Sequence, residues 1–194
     1  MKKKVVYLTI AILPFFMVAY TPERSSSGAP ASHTGAPGEQ TCAKSGCHDD
    51  NALNSGVAQL KLEVGANVTE YVAGQTYSIK IGIADATINR FGFQLVALDN
   101  QTNSNVGTFQ ITDMERTQFV VNDHSTNLQN RNYVTYTFNG TDATSIGASE
   151  WIVNWTAPST SVGAITFYAG AVAANDDMTD KGDHVYTASK VLNN

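Results

Sequence analysis

The sequence predicts an all-β protein built as a sandwich of two antiparallel sheets, and three observations carry this prediction. Apolar and polar residues alternate over short runs, as at Tyr77, Ile79, Ile81 and Ile83. After the first twenty residues, no stretch repeats apolar residues with the 3.6-residue period of a helix. Clusters of Asn, Asp, Gly and Pro separate the runs at intervals of about 8–12 residues, which is typical of sandwiches.

The alternating runs define ten candidate strands. Trp151, Val153 and Trp155 form the apolar face of one of them, so we expect both tryptophans in the core rather than on a binding platform. The predicted strands are residues 57–64, 68–72, 76–83, 91–97, 109–112, 118–121, 133–138, 151–156, 165–173 and 184–191.

The N-terminus has a different character from the rest of the chain. Lys2, Lys3 and Lys4 precede an almost uninterrupted apolar stretch up to Tyr20, the pattern of a secretory signal peptide. We therefore assign residues 1–20 to a signal peptide, with an uncleaved N-terminal anchor as the alternative. Residues 21–56 are expected to form a linker and an irregular Cys/His-bearing arm, and residues 57–194 the sandwich.

The composition and charge of the chain argue against some classes of partner. The net charge is −5 and only 15% of residues are charged. An acidic chain without a basic stripe argues against a nucleic-acid partner. We expect an exported protein of the periplasm, cell surface or extracellular space, which contacts a membrane only through an uncleaved N-terminus.

One short segment carries chemically specific residues. Cys42 and Cys47 are the only cysteines, and His48 directly follows the second. Two thiols can form thioethers to a c-type haem and the adjacent imidazole can bind its iron, although four residues separate the cysteines where two are usual. A local disulfide is the alternative, because an exported protein favours oxidation. Zinc is disfavoured because further ligands are lacking.

A bound haem would need a second axial ligand on the side of the iron opposite His48. The sequence offers several sulfur and nitrogen ligands, each of which can equally be an ordinary core or loop residue. The candidates for the sixth ligand are His33, His124, His184, Met114 and Met178.

A second cluster is acidic and lies between the last two predicted strands. Its carboxylates could bind calcium, but the segment lacks the twelve-residue layout of an EF-hand, and a solvated loop is the alternative. The four residues are Asp176, Asp177, Asp180 and Asp183. No nucleophile–base pair stands out, so an enzyme is not favoured.

The predicted strands and their turns contain five short motifs, Tyr71-Val-Ala-Gly-Gln-Thr-Tyr77, Phe91-Gly-Phe-Gln-Leu-Val-Ala97, Trp155-Thr-Ala-Pro158, Gly163-Ala-Ile-Thr-Phe-Tyr168 and Gly182-Asp-His-Val-Tyr-Thr187. Together they resemble the Reeler domain and, more closely, a bacterial relative called the choice-of-anchor V domain. The resemblance runs from about Gly28 to Leu192, with a Gly-Ala-Pro segment before the Cys-His motif. It implies an immunoglobulin-like sandwich used as an extracellular module of Bacteroidetes-type bacteria, with no established catalytic activity.

Two functions follow from these observations. The first is an exported haem c protein that transfers electrons to a redox partner at or outside the cell envelope. The alternative is a cofactor-free extracellular adhesion or ligand-binding module of the Reeler type, in which Cys42 and Cys47 form a disulfide.

Overall fold

The computed structural model describes residues 28–121, 128 and 130–194. The predicted signal peptide and the sixth-ligand candidate His124 lie outside the described residues. Within them, nine strands form the fold, and no α-helix is present. The strands are β1 (Gln59–Val64), β2 (Thr76–Ala84), β3 (Arg90–Asp99), β4 (Thr108–Ile111), β5 (Thr117–Val121), β6 (Asn132–Tyr136), β7 (Ala148–Thr156), β8 (Ile165–Ala174) and β9 (His184–Leu192).

The strands form two antiparallel sheets packed face to face. The four-stranded sheet has the order β1-β2-β7-β4, and the five-stranded sheet has the order β5-β6-β3-β8-β9. This confirms the predicted all-β sandwich. A single 3-10 turn, Asn139–Thr141, interrupts the described strands between β6 and β7.

One predicted strand, residues 68–72, is absent. The chain turns at the end of β1, where Gly65 and Asn67 adopt positive φ angles of 53° and 62°. The Val68 amide then donates to the Val64 carbonyl at 3.1 Å, which closes a turn. The strand prediction was wrong here because Val68 packs against the core from a turn, so apolar residues in this segment do not indicate a strand.

The core lies between the inner faces of the two sheets, where the alternating apolar residues meet. Trp151 packs against Phe93 with ring centroids 4.6 Å apart, and Trp155 meets Phe167 edge to face at 4.9 Å. Both indole nitrogens donate to main-chain carbonyls, so these large aromatic residues are buried without an unsatisfied donor. Their predicted role as core residues is confirmed.

The outer faces of the two sheets differ. On the four-stranded sheet, Ser78 is exposed and Lys80 is half-buried, as an alternating strand predicts. On the five-stranded sheet, the outward-facing Gln94, Val96 and Leu98 of β3 are at most 1% exposed. A further layer of chain therefore covers this sheet, and residues 28–56 provide it.

Candidate functional site: the arm and its Cys-His loop

We define residues 28–56 as the arm. A linker would lie free of the domain, but the arm instead packs along the outer face of the five-stranded sheet. Gln94 of β3 accepts a hydrogen bond from the His33 amide at 2.8 Å and donates to the Pro30 carbonyl at 2.8 Å. The buried amide of Gln94 is thus paired with the main chain of the arm, as a buried polar group must be.

Glu39 fastens the arm to the sheet. Its side chain is completely buried, and its Oε1 accepts from Arg131 at 2.6 Å and from the Tyr133 hydroxyl at 2.7 Å. Its Oε2 accepts from the amide and hydroxyl of Thr34 at 3.1 and 2.5 Å. Since an isolated buried carboxylate is very costly, these four donors explain why this charge is tolerated. Sequence reasoning missed Glu39, because a single acid in a Gly/Pro-rich segment carries no periodic signal.

The Cys-His motif lies in a compact loop of the arm. Its four-residue spacer folds into turns in which Lys44 donates to the Thr41 carbonyl at 3.0 Å and Cys47 donates to the Lys44 carbonyl at 2.9 Å. The His48 amide then reaches back to the Cys42 carbonyl at 3.1 Å. Gly46 permits this path with a φ angle of 83°. The loop therefore returns Cys47 to the neighbourhood of Cys42, and both residues are thiols in this structure.

The two cysteines have different surroundings. Cys42 is 8% exposed and packs with Val172 and Val185 of the sheet, whereas Cys47 is half-exposed. The Cys42 thiol donates to the His33 carbonyl at 3.8 Å. Burial, and then the nearby charge of Cys47, raise the pKa of Cys42 from 9.0 to about 12. Cys42 thus serves the packing of the arm in its neutral form.

His48 connects the arm to the loop before β9. Its Nδ1 lies 2.7 Å from Oδ2 of Asp183, whose side chain is only 2% exposed. A carboxylate can only accept, so Nδ1 is the donor of this hydrogen bond. Asp183 also accepts from the Asn175 amide at 3.0 Å, and its carbonyl accepts from Asn51 at 3.0 Å. The pair joins three segments of the molecule.

The proposed sixth ligands are dispersed. His33 lies beside Cys42, but its Nδ1 already faces the carbonyls of Pro30 and Ala31 at 3.0 and 2.7 Å. His184 begins β9, with its Nδ1 buried and without a partner among the described residues. Met114 and Met178 are 85% and 83% exposed. Within residues 28–121, 128 and 130–194, no three His, Cys, Asp or Glu side chains are placed to hold one metal ion.

The acidic cluster does not converge on one point. Asp176 bonds Arg90 at 3.0 Å, and Asp177 accepts from the Thr179 amide at 2.7 Å. Asp180 pairs with Lys181, which also contacts Asp49 and Asp50 of the arm. The hydrogen bond from Lys181 to Asp50 contributes most to a raised pKa of Lys181, followed by its bonds to Asp49 and Asp180. The segment holds the arm through ion pairs, and calcium at Asp176, Asp177, Asp180 and Asp183 stays a prediction.

Comparison with known proteins decides the family. The sequence profile of the Reeler domain matches residues 40–177, which includes the Cys-His loop and strands β1 to β8. The chain belongs to the Reeler domain family. This membership confirms the resemblance to the Reeler domain, and the closer resemblance to the bacterial choice-of-anchor V domain stays a prediction. Reeler domains are typically extracellular.

Solved Reeler structures have the same fold as this chain. The Reelin-N domain of F-spondin is 24% identical, with a TM-score of 0.53 over 75% of this chain and 93% of that chain. The human F-spondin Reeler domain is also 24% identical, with a TM-score of 0.51 over 74% of this chain and 94% of that chain. No curated protein matches the chain. Among the residues described, no helix is long and apolar enough to cross a membrane.

Proposed function

We propose that this Reeler domain is an exported, cofactor-free adhesion or ligand-binding module whose Cys42 and Cys47 form a disulfide. The observation that carries this proposal is the location of Cys42, which lies buried between the arm and the sheet next to Val172 and Val185. A residue in this position stabilises the contact between the two layers. Membership of a typically extracellular family supports the exported location.

The loop is suited to a disulfide. Its turns and the bond from the His48 amide to the Cys42 carbonyl close the chain around the two cysteines. The effect of the Cys47 charge on the pKa of Cys42 reflects their proximity. An oxidising compartment favours joining two thiols in such a loop. The resulting disulfide would lock the arm segment that packs on β8 and β9.

Of the three residues that a haem would need, Cys42, Cys47 and His48, only His48 is well placed to bind it. His48 has the arrangement of an axial ligand, because Asp183 bonds Nδ1 and orients the ring. Cys42 fits less well, since it is 8% exposed, packs with Val172 and Val185, and donates its thiol to the His33 carbonyl. Electron transfer through haem c therefore has weaker support than the disulfide module.

Intact mass of the secreted protein separates these functions. The protein should be expressed in a host with haem-ligation machinery and compared with a Cys42→Ser/Cys47→Ser variant. We expect a mass two hydrogens below the reduced value, and no such difference in the variant. A colourless protein with this mass supports the module, whereas an increment of about 616 Da, the mass of one covalent haem, would contradict it.

A further inference from the structure

The edge of the four-stranded sheet contains a gap beside β7. The strand β4 pairs with β7 from Thr108 opposite Thr156 to Ile111 opposite Val153. β7 begins five residues earlier, at Ala148, and it is paired with β2 over its whole length. On the side of β4, the first half of β7 therefore extends beyond its neighbour in the described part of the chain.

The hydrogen-bond pattern shows which groups face this gap. Just before and just after β7, the Asp85 amide donates to the Gly147 carbonyl and the Ala157 amide donates to the Gln75 carbonyl. The main-chain groups of odd-numbered residues in β7 therefore point toward β2. Even-numbered positions face the other side because antiparallel bonds alternate. Accordingly, the Ile152 carbonyl accepts from the Thr112 hydroxyl and the Ala148 carbonyl accepts from the Thr144 amide.

Glu150 lies between these two bonded positions. By the same alternation, its N–H and C=O both face the gap, and no described strand lies opposite them. An extended residue needs this pair of groups to form one rung of an antiparallel ladder. The edge thus presents one unused rung between the end of β4 and the 144–148 turn.

A cleft of about 570 Å³ opens at this point. Its lining residues include Glu150 and Ile152 of β7, Thr112, Asp113 and Arg116 on one side, and Thr144 on the other. The terminal nitrogens of Arg116 bond the carbonyls of residues 139, 140 and 142 and the Ser149 hydroxyl. Its Nε is buried and has no partner among the described residues. The four bonds hold the Arg116 side chain in the wall of the cleft.

We propose that this cleft binds an extended peptide of a partner protein, which adds a short strand to β7 opposite Glu150. The peptide residue paired with Glu150 would accept from its N–H and donate to its C=O. This inference rests on the proposed ligand-binding function and names its ligand class. Strand addition is a general mode of peptide recognition, in which main-chain bonds provide affinity.

The register also indicates the side chain that the peptide presents. The residue opposite Glu150 projects on the outer face of the sheet beside its carboxylate, which is 44% exposed, and near Asp113. Lys80 contacts only Oε2 of Glu150, at 3.2 Å, so a second cation can be accommodated. Opposite charges across a strand pair favour binding, and we expect a lysine or arginine here. Ile152, which is 41% exposed, offers apolar contact to its neighbours.

The test uses backbone amide NMR of the wild-type protein with a short β-prone peptide that has a central lysine flanked by valines. We expect the Glu150 amide to exchange rapidly in the free protein and to shift and gain protection on binding. The same peptide, methylated at the main-chain amide nitrogen of its lysine, cannot donate to the Glu150 carbonyl. It should bind about tenfold more weakly. Equal binding of both peptides, or no change at Glu150, would overturn the proposal.

Two charge-reversal variants complete the test. Glu150→Lys should weaken the lysine peptide about tenfold, whereas Glu70→Lys, an exposed site near Asn193, should leave binding unchanged. A Glu150 amide shift that depends on protein concentration without peptide would identify a second copy as occupant and contradict a partner peptide. Loss of peptide binding in a protein that keeps its disulfide and carries no haem would refute only the cleft, not the proposed disulfide module.

Discussion

Cys42 and Cys47 lie in one loop, but Cys42 is buried against the sheet and Cys47 is half-exposed, so we expect them to differ in reactivity. With its pKa raised to about 12, Cys42 holds roughly a thousandfold less thiolate than it would at 9.0. In the reduced, folded protein at pH 8, we expect iodoacetamide to alkylate Cys47 first and Cys42 only slowly. Peptide mass spectrometry after timed quenching measures both rates. In urea both should react alike, and equal rates without urea would show that Cys42 is accessible.

Glu39 is the residue whose loss should cost the arm most. Glu39→Gln leaves Arg131, whose side chain is 5% exposed, as a buried cation without its partner. Removing one member of a buried pair costs about 3–5 kcal/mol, so we expect a decrease of this size in the free energy of unfolding. Urea unfolding followed by tryptophan fluorescence gives the value.

The exposed pair between Lys80 and Glu150 provides the control for this prediction. Both of these side chains are more than 40% exposed, and an exposed pair contributes at most about 1 kcal/mol. Glu150→Gln should therefore change the stability little. Similar losses for Glu39→Gln and Glu150→Gln would mean that Glu39 is not the principal attachment of the arm.

At the scale of elements, the arm and β8 are in close contact at Gly170. A Cβ at this glycine would lie 2.7 Å from the His33 carbonyl oxygen, so Gly170→Ala must displace the arm. Gly82→Ala is the matched substitution on the uncovered sheet, where a Cβ meets nothing within 4 Å. We expect Gly170→Ala to destabilise the protein by about 1–3 kcal/mol and to speed amide exchange around Gln94, and Gly82→Ala to be neutral.

Amide exchange distinguishes local detachment from general damage in the Gly170→Ala variant. The faster exchange should be confined to the arm and to the outward-facing amides beneath it, with the inner core still protected. If both alanine variants behave alike, the arm does not pack against β8 as described.

For the whole molecule, buried acidic groups with raised pKa values predict sensitivity to base. Burial is the main cause of the raised pKa of Cys42, Tyr133 and Tyr136. Above pH 9–10 the unfolded chain releases these protons while the folded protein retains them, so the free energy of unfolding falls as the pH rises. The slope is about 1.4 kcal/mol per pH unit for each group.

Urea unfolding of the reduced protein between pH 7 and 11 measures this decrease. Cys42→Ser removes one of the three groups and should give a shallower decline above pH 9. A stability that stays constant up to pH 11 would contradict the burial of these side chains.

Much of the fold could be predicted from the sequence because alternation is a local property. In a strand such as β2 or β7, every second residue is buried, so the strand can be recognised from its own residues. Nine of the ten predicted strands are present. Segment 68–72 failed because a turn can also place apolar residues on the core. The Cys-His loop was recognised as the chemically distinct segment, since its cysteines and histidine are adjacent in the chain.

Only the tertiary structure decided that the arm is a layer of the domain and that Cys42 is buried beneath it. The contacts responsible join residues far apart in the chain, 92 positions between Glu39 and Arg131 and 135 between His48 and Asp183. The chain marks His48 and Asp183 as candidates, but no local pattern shows which partner each residue meets, because these pairs form only after the sheets have folded. The sequence by itself determined the strands and the sandwich, since burial repeats every second residue. The folded chain determined what each isolated Cys, His and Glu contacts.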